Sequence, residues 1–329
     1  MTLVVMGESE NIIRRRDAHA RGVTDIEIRR LCRSGIWTRL SRGVYVPTRV
    51  YADADERGRH LYRALAAAQI ARPGTVLGHV SAAIAHGLEL WRTPLDDVHL
   101  TCGRSGGNGR SRGRILHAEH FEADEVVDID GVAVMSVART VADLARTLPF
   151  EQAVVAGDHA MRTAGVAGAE VSAILARNPS HPGNAKAVRA VRFMCGHSDS
   201  VGESRSRVLF VRSGLPIPYT QAEVYAGGGQ WLARVDFLLP EHGVIGEFDG
   251  RVKYRRDGVA DAAAEEVVFR EKQREDRLRE AGWVVVRWVW ADLERPEIVV
   301  ARVREAIARA ARGPRPSGHV VTPQGLHLR

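Results

Sequence analysis

At 329 residues the chain exceeds one typical core and suits two or three domains, and its 45% hydrophobic and 26% charged residues are those of an ordinary globular protein. Three well-separated cysteines (Cys32, Cys102, Cys195) argue against a zinc ribbon and a disulfide scaffold and fit a reducing cytoplasm; no apolar run reaches the roughly 18–20 residues of a membrane span, and acidic residues after Leu3-Val4-Val5-Met6 argue against a signal peptide. A formal net charge of +7 and a pI of about 9.7 permit an anionic partner, nucleic acid or a membrane surface.

Lysine occurs only at Lys186, Lys253 and Lys272, so arginine carries nearly all the positive charge. The lysines that remain are informative, because arginine cannot do a lysine's proton chemistry.

The first fifty residues predict helix, helix, hairpin. A polar helix is expected from Glu8 to Ala20, broken at Gly22. Thr24-Asp25-Ile26-Glu27 reads as a capping box that starts a second helix, stopped at Ser34-Gly35. Ile36 to Leu40 and Val44 to Pro47, joined by Ser41-Arg42-Gly43, form a hairpin. Two helices and a basic hairpin describe a small winged helix-turn-helix. Arg29, Arg30, Arg33, Arg39 and Arg42 line one edge of it, either neutralising DNA phosphates with a helix in the major groove or forming a solvated face of a protein-interaction module.

Residues 51–195 predict an α+β middle region. Helices are expected at Arg57 to Ile70, Ser81 to His86, Ser136 to Leu148, Glu151 to Thr163 and Ala185 to Phe193. Strands are expected at Val98 to Thr101, Arg114 to His117 and Val132 to Val134. The basic loop Gly103 to Arg110 lacks P-loop spacing and reads as a mobile surface loop or, alternatively, a contact to a phosphate backbone. His79, His86, His99, His117 and His120 show no HExxH-like spacing and read as ordinary surface or core histidines.

The C-terminal third has the order α-β-β-β-α-β-α: helix Glu203 to Arg212, strands Tyr219 to Tyr225, Trp231 to Leu239 and Val244 to Asp249, helix Asp261 to Ala281, strand Trp283 to Val289, helix Glu297 to Ala311. A turn symmetric about Glu241-His242 sets Asp236 against Glu247, provided no bulge intervenes, and Asp249 points to the same side as Glu247. Facing carboxylates repel across a sheet. A divalent cation turns that repulsion into binding; the other reading is an exposed acidic edge.

Gly202-Glu203-Ser204-Arg205, Arg234-Val235-Asp236-Phe237, Gly246-Glu247-Phe248-Asp249-Gly250, Lys272 to Leu278 and Gly282 to Arg287 together resemble the DUF559 family, related to the very-short-patch-repair endonucleases and belonging to the PD-(D/E)XK restriction-endonuclease-like fold. Gly22-Val23-Thr24 through Gly43-Val44-Tyr45 resembles the winged helix of AbiEi antitoxins from type IV toxin–antitoxin systems. Gly78 to Ala83 and Ser136 to Leu144 resemble the rest of such proteins.

The nuclease resemblance implies that Asp236 and Glu247 hold Mg²⁺ (or Mn²⁺) with Glu203 as an additional ligand, the metal activating a water against a phosphodiester. The family's usual lysine position is here Asp249. Lys253 or Lys272 would then supply the lysine, or Asp249 becomes a further ligand. Arg251, Arg255 and Arg274, with Arg256 and Arg270, would contact the DNA backbone.

The expectation is thus an α+β multidomain protein: a winged helix-turn-helix over 1–50, an α+β region over 51–195, a restriction-endonuclease-like α/β domain over 196–312 and a disordered tail over 313–329. The favoured function is Mg²⁺-dependent DNA cleavage in the cytoplasm. Its rival is an AbiEi-like antitoxin and repressor with a retired nuclease fold and a cognate toxin as partner.

Overall fold

The computed structural model describes residues 9–103, 107–250, 262–323 and 327–328. The chain divides into two compact units, Met1–Gly196 and His197–Arg329. Residues 9–50 and 51–195 fall in the same compact unit. Ser41, 9% exposed, donates its hydroxyl to the Ala66 carbonyl at 3.2 Å and ties the two segments together.

The first unit opens with β1 (Ile13–Arg14), α1 (Arg15–Ala20), α2 (Asp25–Arg33), β2 (Trp37–Ser41) and β3 (Val44–Pro47). The capping box forms as expected: the Thr24 hydroxyl accepts the Glu27 N–H, and the Glu27 carboxylate accepts the Thr24 N–H at 2.8 Å. The expected polar helix from Glu8 is shorter. Ile13 pairs with Tyr45 and Arg14 with Val44, giving a three-stranded sheet of order β1-β3-β2. Ile13 is half-buried against the small core of Ala18, Ile28 and Tyr45, and that burial makes it a strand residue rather than part of a polar helix.

The rest of this unit packs helices on a six-stranded sheet. Its elements are α3 (Thr48–Asp53), α4 (Glu56–Ala68), β4 (Val76–Leu77), α5 (His79–Ala85), β5 (Val98–Cys102), β6 (Gly109–Ser111), β7 (Arg114–Ala118), β8 (Val126–Ile129), β9 (Val132–Met135), α6 (Val137–Thr147), α7 (Phe150–Ala164), α8 (Gly168–Ala176) and α9 (Asn184–Phe193). The sheet order is β6-β7-β5-β4-β9-β8. Its core joins Leu77, Leu100 and Val134 of the sheet to Leu61, Ile84, Leu144 and Leu175 of the helices.

The second unit follows the expected order, with additions. It runs α10 (Val201–Arg212), β10 (Tyr219–Tyr225), β11 (Trp231–Leu239), β12 (Val244–Asp249), α11 (Ala262–Glu280), β13 (Val284–Val289), α12 (Trp290–Leu293), α13 (Pro296–Ala310), β14 (His319–Val321) and β15 (His327–Leu328). The sheet order is β13-β12-β11-β10-β14-β15. In the hairpin, Phe237 faces Gly246, Leu238 faces Ile245 and Leu239 faces Val244, the register of a turn symmetric about Glu241-His242. β12 and β13 pair in parallel through Asp249 and Val289.

The tail does not follow the disordered reading over its described residues. Ser317 donates its N–H to the Ala281 carbonyl at 3.0 Å. β14 then pairs antiparallel with Glu223 to Tyr225 of β10. Val320 is buried, and the His319 ring stacks on Tyr225 with centroids 4.7 Å apart. A proline- and glycine-rich stretch thus serves as a turn that delivers an apolar strand onto an open sheet edge.

Candidate functional site

Two groups of residues singled out by sequence can be followed into the structure. On the first unit, Arg29, Arg30 and Arg33 project from α2, Arg39 from β2 and Arg42 from the hairpin turn, and all five are exposed. Arg29 and Arg33 are one helical turn apart and share a face of α2. Two of them make local bonds: Arg29 Nε reaches the Asp25 carbonyl at 3.2 Å and Arg39 Nε the Ser41 carbonyl at 3.3 Å. Helix and hairpin therefore present cationic heads to solvent, as binding to a phosphate backbone requires.

The second group lies in the second unit. Glu203 sits in the first turn of α10, which Ser200 caps by accepting the Glu203 N–H. Its carboxylate accepts the Ser200 hydroxyl at 2.9 Å, the Asp199 N–H at 2.9 Å and the Gln221 amide at 2.8 Å. Gln221 also donates to Asp236 Oδ1 at 3.2 Å and so links α10 to β11. It holds a left-handed backbone, φ 54°, a strained conformation for a non-glycine residue. Asp236 Oδ2 accepts the Phe248 N–H at 2.9 Å from β12. Arg274, on α11, grips Glu247 with two bonds, Nη1–Oε1 3.2 Å and Nη2–Oε2 2.7 Å.

Burial raises the pKa of all three carboxyls. It lifts Glu203 despite its donors. It lifts Asp236 to about 6, with the charge of Glu203 adding to the effect. It lifts Glu247, against which Arg274 works. The close approach of α10 to β12 depends on Gly202, where an added Cβ would run into the Phe248 ring. Gly202→Ala is expected to cost about 1–3 kcal/mol through overpacking, read as a lower urea midpoint at unchanged slope; an unshifted midpoint would show that Phe248 yields freely.

The other expected members of this site fall differently. Asp249 is half-buried at the end of β12, on the side of Glu247 by strand alternation. Lys272 is exposed on α11, and Arg274, two residues on, is the cation that reaches Glu247. Arg274 thus takes a place inside the cluster, in contrast to the expected contact with a DNA backbone. Arg251, Lys253, Arg255 and Arg256 lie outside the described residues, as does the Arg270 side chain. Gln221 was not legible as a site residue, since a glutamine in a strand carries no local signal.

The donor set does not fit a bound Mg²⁺ as it stands. Both Glu247 oxygens are held by a guanidinium, and both Asp236 oxygens accept protein donors. Among the described residues, Glu203, Asp236 and Glu247 do not converge at ligand distance. A cation between Asp236 and Glu247 requires Arg274 to leave.

Residues 8–48 match the family model of a transcriptional regulator, the AbiEi antitoxin. The match spans α1, α2 and the hairpin, the segment that carries the exposed arginines. Over 183 residues the chain is 28% identical to the uncharacterized protein MT2308 of Mycobacterium tuberculosis (strain CDC 1551 / Oshkosh) and equally to the uncharacterized protein Rv2248 of Mycobacterium tuberculosis (strain ATCC 25618 / H37Rv). Each alignment covers 55% of this chain and 64% of the relative's length. No helix among the described residues is long and apolar enough to cross a membrane.

Proposed function

We propose that this protein is a DNA-binding transcriptional regulator of the AbiEi antitoxin kind, acting in the cytoplasm with a cognate toxin as partner. The observation that carries the reading is the coincidence of the antitoxin-family match with the five exposed arginines of α2, β2 and the hairpin turn. In this reading residues 9–47 form a winged helix-turn-helix that docks on duplex DNA. The C-terminal unit is a PD-(D/E)XK-like fold of the DUF559 type in which Arg274 pairs with Glu247 and Gln221 bridges Glu203 and Asp236.

The test is fluorescence anisotropy with a labelled duplex taken from upstream of the protein's own coding sequence, against a scrambled duplex. The variant is Arg29→Ala, Arg33→Ala and Arg42→Ala together. If each arginine neutralises one phosphate, the triple variant loses about 2.7 from the slope of log affinity against log salt and weakens on both duplexes alike. Unchanged affinity and slope would place the DNA surface elsewhere.

A second reading, Mg²⁺- or Mn²⁺-dependent DNA cleavage, is favoured by one observation: the Asp236 carboxyl remains raised by burial and by the charge of Glu203, which Arg274 offsets only in part. In that reading Glu203, Asp236 and Glu247 hold the metal, with Asp249 or a lysine, Lys253 or Lys272, completing the chemistry. Nicking of supercoiled plasmid that needs the metal and is lost in Asp236→Ala, Glu247→Ala would establish it. No nicking, with salt-sensitive DNA binding retained in both proteins, favours the regulator.

A further inference from the structure

Three histidines that sequence spacing leaves as ordinary come together in the first unit. His79 is the first residue of α5, directly after β4. His99 lies on β5 and His117 on the parallel neighbour β7. One nitrogen from each falls within 4.8 Å of the others. We propose that His79, His99 and His117 bind one divalent transition-metal ion of the zinc class.

Spacing is the first support. His99 Nδ1 and His117 Nε2 are 3.0 Å apart. Two nitrogens bound tetrahedrally to one zinc at roughly 2.0–2.1 Å lie roughly 3.3 Å apart, so a small opening of the pair admits the ion.

His79 is the second and independent support. It is 2% exposed, and neither of its ring nitrogens has a hydrogen-bond partner. A buried polar group left this way is costly and calls for an explanation. A network of histidines alone does not supply one. The bond between His99 and His117 satisfies one nitrogen of each, while His79, stacked on His117 with centroids 3.7 Å apart, has only the Glu119 carboxylate at 3.7 Å from its Nε2, beyond hydrogen-bond length. His79 also holds φ 48°, a left-handed backbone that aims a non-glycine side chain at a cost.

Glu119 stands beside His79, outside the three-histidine group. Arg139 Nη2 holds its Oε2 at 2.7 Å. Its Oε1 stands 3.7 Å from His79 Nε2 and 3.5 Å from His181 Nε2. Three imidazoles select zinc, cobalt, nickel or copper over magnesium or calcium, which take oxygen sets. An open cleft lined by Asn108, His117, Glu119 and His181 gives an ion a way in. Once bound, the ion would pin the start of α5 to β5 and β7.

The experiment uses the full chain, stripped with EDTA, dialysed free of chelator and titrated with Co²⁺ and then Zn²⁺. Wild type is expected to take up one equivalent of Co²⁺ with visible d–d bands, displaced by Zn²⁺, and to melt higher with Zn²⁺. His99→Gln and His117→Gln lose that equivalent, whereas His242→Gln, in the other unit, keeps it. His117→Cys guards against simple misfolding: with a thiolate in the shell, Co²⁺ gains a near-ultraviolet charge-transfer band that wild type lacks. Wild type without d–d bands, or equal uptake and spectra in all four variants, would overturn the site.

Discussion

Replacing Arg139 with methionine is expected to destabilise the first unit by about 3–5 kcal/mol, the range for removing one partner of a buried ion pair. Arg139 lies on α6 and is 3% exposed. Its guanidinium donates to Asp143 at 2.9 and 3.0 Å, Glu125 at 2.5 Å, Glu119 at 2.7 Å and the His120 carbonyl at 3.1 Å. Burial alone would lower its pKa, but the carboxylates around it win and raise it. Asp143 and Glu125 are buried at 0% and 2% exposure, so methionine fills the space and leaves their charge in a poorly screening interior. Arg146 on Asp143 and Arg177 on Glu125 offset part of the loss, which places the expectation toward the lower end of the range. For a unit of this size the melting midpoint falls by about 10 °C, at about 2–4 °C per kcal/mol. Arg139→Met with Asp143→Asn recovers part of it, because the second change removes one stranded charge. A midpoint within about 2 °C of wild type for Arg139→Met would mean that the surrounding arginines carry the cluster alone.

The second unit was the more legible because its signals are local. Pro240 to Gly243 makes a short turn, and alternation on either side fixes the register through Leu239 and Val244. The Thr24–Glu27 capping box is equally local, with both partners three residues apart. What escaped depends on distant chain. Ile13 becomes a strand only because Tyr45 lies opposite it. Val320 joins a sheet only because the edge of β10 is open to it. His79, His99 and His117 carry no spacing signal, since their convergence is made by strands β4, β5 and β7 lying side by side. Arg274 could be read only as a cation on a polar helix; that it turns inward to Glu247 follows from how α11 packs on β11 and β13.

Asp236→Asn is expected to stabilise the second unit at neutral pH. The folded protein holds the Asp236 carboxyl at about 6, against about 3.9 in an unfolded chain. Between these values the native state binds the extra proton, so stability falls as pH rises through the window, and the full penalty stands above it. A difference of roughly two pKa units corresponds to about 3 kcal/mol. Asparagine carries no charge and keeps an acceptor for the Phe248 N–H, but its amide opposes the Gln221 donor, a loss of about 1 kcal/mol. The net gain is about 2 kcal/mol at pH 7.5 and turns into a small loss toward pH 4, where the charge penalty has gone and the amide cost, up to about 1 kcal/mol, remains. Urea unfolding at the two pH values measures it. A variant no more stable than wild type at pH 7.5 would show that the Asp236 charge is already compensated in solution. Repeating the wild-type measurement with Mg²⁺ then separates the readings of the cluster. Stabilisation by the ion that Asp236→Asn abolishes assigns the compensation to a metal and favours cleavage. Indifference to the ion leaves Arg274 and Gln221 as the partners, as in a regulator that binds DNA without cutting it.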